Sequence, residues 1–214
     1  MEVIYCDNHI LVVVKPAGCA SQPHLGSDEN LTDQAKDWIK KKFNKPGAVF
    51  LEAIHRLDKP VSGLVLFART SKALSRLQES MRERTIIRIY YALVEGVPDL
   101  LQGTLEHHLV HDEHIARVVS SIHKEGKLAR LAYRVIKENM LEITLETGRY
   151  HQIRVQLAAE GFPVLGDEKY GSKKSWRKNG IALHHGKMSF IHPVTKEALS
   201  FTSIPKDFPQ SAQH

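Results

Sequence analysis

Short apolar segments that end in turn residues recur along this 214-residue chain, and they limit what it can fold into. The first segment reads as two strands around an Asp7-Asn8 turn, ended by Pro16 and Gly18. Strand-length runs lie at 2–15, 48–54, 62–68, 85–96, 128–136, 140–147, 188–193 and 198–204. Because hairpin-length spacings separate many of them, we predict one α+β domain on a mixed, mainly antiparallel twisted sheet.

Three segments have helical rather than strand periodicity. The first begins after a predicted N-cap at Asn30, and the second runs from a predicted cap at Ser71 to Arg84. The third spans 148–161 and ends at Gly161, a residue suited to the position after a helix. We expect these helices to flank the sheet.

The composition argues against two classes of protein. No run of about 18 apolar residues occurs, so no membrane-spanning segment is predicted. The first ten residues lack a basic stretch followed by an apolar one, which argues against a secretory signal and for a cytoplasmic protein. Cys6 and Cys19 are the only cysteines, so reduced thiols are expected rather than a disulfide framework.

Basic residues exceed acidic ones and are clustered. The net charge is +6, and lysines and arginines concentrate at 40–45, 82–88 and 173–178. Such clusters favour a polyanionic partner, nucleic acid above all. Lysines that keep helix surfaces in solution would give a similar pattern, so charge alone leaves both interpretations open.

The stretch "HRLDKPVSGLVLFART", at 55–70, places charge directly before an apolar strand. A carboxylate at the edge of a core is partly desolvated, so Asp58 must be paired or functional. Aspartate also commonly caps a turn ahead of a proline such as Pro60. From this stretch alone, the turn interpretation is the better supported one.

Two further segments carry polar groups next to apolar ones. On a strand at 88–96, Tyr91 lies among apolar neighbours, whereas Tyr90 shares a face with charge and could direct its hydroxyl into a cleft or into water. On the third predicted helix, Ile153, Leu157 and Ala158 form the expected buried stripe, and His151 and Arg154 form a polar pair. Arg154 could reach a carboxylate such as Asp58, or it could be solvated.

A cluster of histidines suggests a metal site. His107, His108, His111 and His114 lie within the stretch 106–114, beside two carboxylates. Adjacent residues such as His107 and His108 point to opposite sides of a strand, which conflicts with the convergent ligands that zinc needs. We therefore predict no metal.

Five motifs in order resemble the RluA-type pseudouridine synthases, which isomerise uridine within RNA. They are "DNHILVVVKPAG", "HRLDKPVSGLVLFART", "RIYYALVEG", "GRYHQIRVQLAAEGFPVLGDEKYG" and "IALHHGKMSFIHPVTKE". The resemblance covers about 3–204 and implies a single catalytic domain over 1–214 with a central basic cleft. Because it starts at the third residue, no N-terminal S4 domain is expected.

The resemblance also implies a division of roles. Asp58 would be the carboxylate that acts at C1′ or C2′, oriented and kept ionised by Arg154, and Tyr90 would bracket the uracil. Arg56 would enter the RNA and hold the flipped nucleotide, with His55 and His151 also at the substrate. No cofactor is implied.

The chain departs from the family pattern at Val61, Phe162 and His185, which bears on substrate choice more than on chemistry. We expect a monomer acting on a uridine in a transfer RNA or ribosomal RNA stem-loop. The alternative is a catalytically silent RNA-binding module or RNA chaperone on the same fold. Asp58, Tyr90 and Arg154 occurring together favours the enzyme, because a pure binder needs no carboxylate facing phosphates.

Overall fold

The computed structural model describes residues 1–23, 30–205 and 207–209. These residues form an α+β fold with a mixed, mostly antiparallel sheet, as predicted. None of the helices in these ranges is long and apolar enough to cross a membrane. The helices are α1 (Leu31–Lys42), α2 (Ser71–Arg82) and α3 (Gln152–Ala159), and a 3-10 turn lies at Glu168–Tyr170. The strands are β1 (Glu2–Cys6), β2 (Ile10–Lys15), β3 (Glu52–Ala53), β4 (Ser62–Ala68), β5 (Ile87–Leu93), β6 (Gln102–Asp112), β7 (Ile115–Val119), β8 (Lys127–Lys137), β9 (Met140–Leu145), β10 (Leu183–Ile191) and β11 (Ala198–Thr202).

The chain forms two compact units. The first comprises Met1–Ile87 and His185–Ser203, and the second comprises Arg88–His184 with the described residues from Ile204 onward.

In the first unit, β2 pairs with β1 on one side and with β4 on the other, both antiparallel. The short β3 pairs with the end of β4, and β11 pairs with β10. Helix α2 contributes Ala73 and Leu77 to the core of this unit, where they join Leu64, Leu66 and Met188. This packing explains why β4 reads as a continuous apolar run, since six of its seven residues are buried.

In the second unit, five antiparallel strands follow the order β5-β9-β8-β6-β7. The side-chain amide of Gln156, on α3, donates to the carbonyls of Leu105 and Ala129 at 3.1 and 3.3 Å. The buried side chain of Gln156 therefore connects α3 to β6 and β8. The pattern of apolar residues in the sequence does not predict such hydrogen bonds.

Most predicted elements occur, with three corrections in the first half of the chain. Asn30 is confirmed as the N-cap of α1, since its side chain accepts from the amide of Asp33. The cap of α2 is Thr70 rather than Ser71, because the Thr70 hydroxyl accepts from the amide of Ala73 at 3.1 Å. The predicted second helix ends at Arg82 and not at Arg84, and the strand predicted at 48–54 reduces to two residues.

The third helix differs most from its prediction. It begins at Gln152, because His151 adopts a left-handed backbone with φ of 52°. Gly161, with φ of 88°, ends it as predicted. The expected single buried stripe is wrong: Gln152–Leu157 is buried all round, and Ala158 is partly exposed. A helix with buried polar side chains must supply each of them with a partner, and those partners define the site in this unit.

Candidate active site

Asp58 lies in a loop of the first unit, and a single hydroxyl group holds the residue before it, Leu57. The Ser21 hydroxyl accepts from the amide of Leu57 at 3.0 Å and donates to the carbonyl of Leu57 at 2.7 Å. Ser21 is buried, and the Thr32 hydroxyl holds the Ser21 carbonyl in turn. Both backbone groups of the residue before Asp58 are therefore fixed by a single side chain.

The residue after Asp58 is held from the same segment. Lys15 is fully buried, and its ammonium donates to the carbonyls of Pro16, Cys19 and Lys59 at 3.0, 2.7 and 3.1 Å. The amide of Gly18 also donates to the Lys59 carbonyl. All three ammonium protons thus have acceptors, and the backbone on both sides of Asp58 is anchored to 15–21.

The charge on Lys15 also bears on this loop. Burial lowers the pKa of Lys15 to about 8, while the negative charges of Cys19 and Asp58 oppose the decrease. Below this pKa a cation is buried beside the loop.

Ser21→Ala is expected to loosen the Asp58 loop. The substitution leaves the buried amide and carbonyl of Leu57 without the hydroxyl, so the free energy of unfolding should fall by about 2 kcal/mol. If Asp58 has the role that the family resemblance implies, kcat should fall by about tenfold, because a displaced carboxylate loses its alignment. Urea unfolding and single-turnover kinetics measure the two effects. Ser189→Ala, which removes a hydroxyl paired with Ser200, is the control. Unchanged kinetics in Ser21→Ala would show that the clamp is only structural.

His55 and His185 form a buried pair in the same unit. Nε2 of His55 accepts from the amide of Leu66 at 3.3 Å, and the ring of His55 meets that of His185 edge-on at 5.2 Å. His185 donates from Nδ1 to the carbonyl of Leu64 at 2.7 Å. Gly63, with φ of 125°, makes this approach possible, since a Cβ there would lie 2.4 Å from the His185 amide nitrogen. The departure at His185 is thus accommodated in the core.

In the second unit, Arg154 is held by a partner that the sequence analysis did not predict. Its Nε and one terminal nitrogen donate to the two carboxylate oxygens of Asp167 at 2.6 and 2.8 Å. Both side chains are almost fully buried. A buried guanidinium requires such a partner. The sequence feature that could have indicated this partner is Asp167, in the "GDEKYG" part of the fourth family-like motif. The pairing of Arg154 with Asp58 stays a prediction.

Tyr170 and His151 also lie near Arg154. The guanidinium carbon of Arg154 lies 5.0 Å from the centre of the Tyr170 ring, and the Tyr170 hydroxyl shares a hydrogen bond of 2.8 Å with Nδ1 of His151. Burial and the charges of Arg154 and Lys169 lower the pKa of His151 to about 3, so its imidazole is neutral at physiological pH. His151 and Arg154 are therefore connected through Tyr170.

The other predicted site residues are placed as follows. Tyr90 and Tyr91 are both buried on β5, where Tyr90 pairs with Ile143 of β9. The predicted burial of Tyr91 is confirmed, and its hydroxyl donates to Glu142 at 3.4 Å. Arg56 is exposed in the Asp58 loop, whereas His55 and His151 are buried.

Two histidine side chains of the histidine-rich strand contact other protein groups. Nε2 of His107 lies 3.1 Å from a carboxylate oxygen of Glu160, and Nδ1 lies 3.2 Å from the Gln156 amide. His111 donates from Nε2 to the carbonyl of Glu113. Among the residues that the structure describes, no three His, Cys, Asp or Glu side chains are grouped as metal ligands.

Similarity to known proteins identifies the family. Residues 9–159 match the family model described as RNA pseudouridylate synthase. The chain is 33% identical to the dual-specificity RNA pseudouridine synthase RluA of Pasteurella multocida, over 96% of this chain and 93% of that protein. It is 34% identical to ribosomal large subunit pseudouridine synthase D of Zymomonas mobilis, over 97% of this chain and 70% of that protein.

A solved structure shows the same fold. Human RNA pseudouridylate synthase domain containing 4 superposes with a TM-score of 0.80 at 21% identity, covering 96% of this chain and 89% of the human chain. The chain belongs to the RluA-type RNA pseudouridine synthase family and is an isomerase whose substrate is RNA, as the sequence motifs predicted.

Proposed function

We propose that Asp58 performs the chemical step of the isomerisation, with Arg154 and Tyr90 as its catalytic companions. The observation that carries this assignment is the fixed backbone around Asp58, whose two neighbours are clamped by Ser21 and Lys15. A turn cap needs no such anchoring on both sides. A reacting carboxylate does, because its alignment sets the rate.

The reaction explains why one carboxylate carries so much of the chemistry. The N1–C1′ bond of uridine breaks, the uracil turns while bound, and a C5–C1′ bond forms as the C5 proton departs to N1 or solvent. Electrons and atoms balance without an oxidant or a net water. Asp58 serves either as a nucleophile at C1′ or as a base for the 2′ proton. Tyr90 contacts the uracil and assists removal of the C5 proton.

The remaining predicted site residues differ in solvent exposure: one is exposed and two are buried. Arg56 is exposed and is proposed to enter the RNA and stabilise the flipped-out nucleotide. His55 and His151 are buried, and each is bonded to a neighbouring element. Their burial supports a role at the substrate site through positioning rather than through direct contact.

We further propose that the substrate is a short structured element of transfer RNA or ribosomal RNA, modified by a monomer in the cytoplasm. The relatives' names are compatible with both classes, since one is a dual-specificity enzyme and another acts on the large ribosomal subunit. A target in a loop or at a weak closing pair minimises the free energy needed for flipping.

An isolated stem-loop is expected to be modified within about threefold of the rate on intact RNA, because the loop presents an unpaired base. The measurement is pseudouridine yield on stem-loops, intact transfer RNA and assembled ribosomal subunits. Affinity should fall by at least about tenfold between roughly 50 and 200 mM salt as phosphate contacts release counterions. The same stem-loop with its uridine replaced by cytidine is the control. Modification confined to assembled subunits would contradict the short-substrate proposal.

A further inference from the structure

We propose that Tyr170 is a positioning residue for Arg154, with its ring beneath the guanidinium group and its hydroxyl bonded to β7. This inference rests on the proposed role of Arg154 in catalysis. It assigns to the "GDEKYG" segment a function beyond the turn geometry of its glycines.

The local backbone explains why Asp167 and Tyr170 reach the same arginine. They lie three residues apart at the ends of the 3-10 turn, and the amide of Tyr170 donates to the Asp167 carbonyl at 3.0 Å. This hydrogen bond closes the turn, and both side chains reach Arg154 from it. One turn therefore presents a carboxylate and an aromatic ring to Arg154 together.

The two contacts restrict different motions of the guanidinium. Asp167 binds its edge through two hydrogen bonds, which fix rotation within the plane and the approach direction. Tyr170 makes a cation–π contact instead, with the guanidinium carbon over its ring at 5.0 Å from the ring centre. The hydrogen bonds and the ring contact together restrict the orientation of the Arg154 guanidinium, and such preorganisation is what an electrostatic role requires.

The Tyr170 hydroxyl fixes the ring itself. It accepts from the amide of Ala116 at 2.8 Å and shares a hydrogen bond with Nδ1 of His151 at 2.8 Å. Ala116 belongs to β7, and His151 precedes the first residue of α3. The hydroxyl therefore ties three elements together, so that the ring position follows β7 and the start of the helix that carries Arg154.

Two substitutions separate the ring from the hydroxyl. Tyr170→Phe keeps the ring beneath the guanidinium and removes both hydroxyl hydrogen bonds, whereas Tyr170→Leu removes the ring as well. Tyr133→Phe is the control, because this buried tyrosine of the same unit donates to the carbonyl of Leu100. We expect kcat to fall at least about tenfold in Tyr170→Leu and less than about threefold in Tyr170→Phe, with KM within about threefold of wild type in both.

A measurement without RNA distinguishes failure of this inference from failure of the proposed function. The Nε–H proton of Arg154, identified by its loss in Arg154→Lys, should be shifted upfield by the Tyr170 ring in a ¹H–¹⁵N spectrum. The shift should persist in Tyr170→Phe and disappear in Tyr170→Leu. An unmoved resonance in Tyr170→Leu, a kcat equal to that of Tyr133→Phe, or equal kinetic losses in the Phe and Leu variants would overturn the positioning role. If wild type forms no pseudouridine while the resonance behaves as expected, the proposed function fails and the positioning stands.

Discussion

Asp58→Asn is expected to lower kcat for pseudouridine formation by at least about 1,000-fold, because the amide is a poor nucleophile and a poor base. RNA affinity should stay within about threefold of wild type, since the lost interaction belongs to the transition state and not to ground-state binding. Single-turnover assays on a stem-loop that the wild-type protein modifies measure the rate, and filter-binding titrations measure the RNA affinity.

Two companion variants make the result specific to the position of the carboxylate. Asp37→Asn removes an exposed carboxylate of α1 in the same unit and should leave kcat within about twofold of wild type. Asp58→Glu keeps the charge but displaces it by one methylene, so it should also be severely impaired. Activity of Asp58→Asn within about tenfold of wild type, equivalent to about 1.4 kcal/mol of barrier, would remove Asp58 from the chemical step.

The same experiment addresses the RNA-binding module that the sequence left open. Membership of the synthase family favours the enzyme, and the arrangement of the Asp58 loop agrees with it. A wild-type protein that binds the stem-loop but forms no pseudouridine in it would instead identify a binding module.

The sequence predicted many of the strands because burial controls their pattern, but β6 and β7 were not among the predicted runs. β4 and β9 carry near-continuous or alternating apolar residues, and both lie where the periodicity placed them. The segment 48–54 has similar composition but forms only two strand residues, because β3 pairs with just Phe67 and Ala68 at the end of β4. Composition alone does not show how much partner strand is available.

Around Arg154 the sequence was less informative, for a physical reason. Hydrophobic periodicity assumes that polar side chains face water, whereas Gln152, Arg154 and Gln156 are buried and donate hydrogen bonds to residues elsewhere in the chain. Asp167 lies thirteen residues from Arg154, beyond any helical spacing. Only the requirement that a buried charge be paired connects the two, and this requirement becomes visible once the burial of α3 is known.

Arg154→Met is expected to abolish activity and to destabilise the fold. It leaves Asp167 as an unpaired buried carboxylate, so the free energy of unfolding should fall by about 3–5 kcal/mol. This loss alone would lower activity even if Arg154 had no role in the reaction. The catalytic role therefore needs a variant in which stability is recovered without the arginine.

The double variant Arg154→Met/Asp167→Leu supplies that test. Replacing a buried ion pair by apolar side chains of similar volume is often neutral or stabilising, so urea unfolding should show most of the lost stability regained. If Arg154 acts in the reaction, kcat should remain at least about 100-fold below wild type despite the recovered fold, because no guanidinium is present to stabilise charge. Arg154→Lys, which keeps a cation but cannot bind Asp167 through two parallel hydrogen bonds, should lie between the two. Recovery of kcat to within about tenfold of wild type in the stable double variant would show that the buried pair only supports the fold.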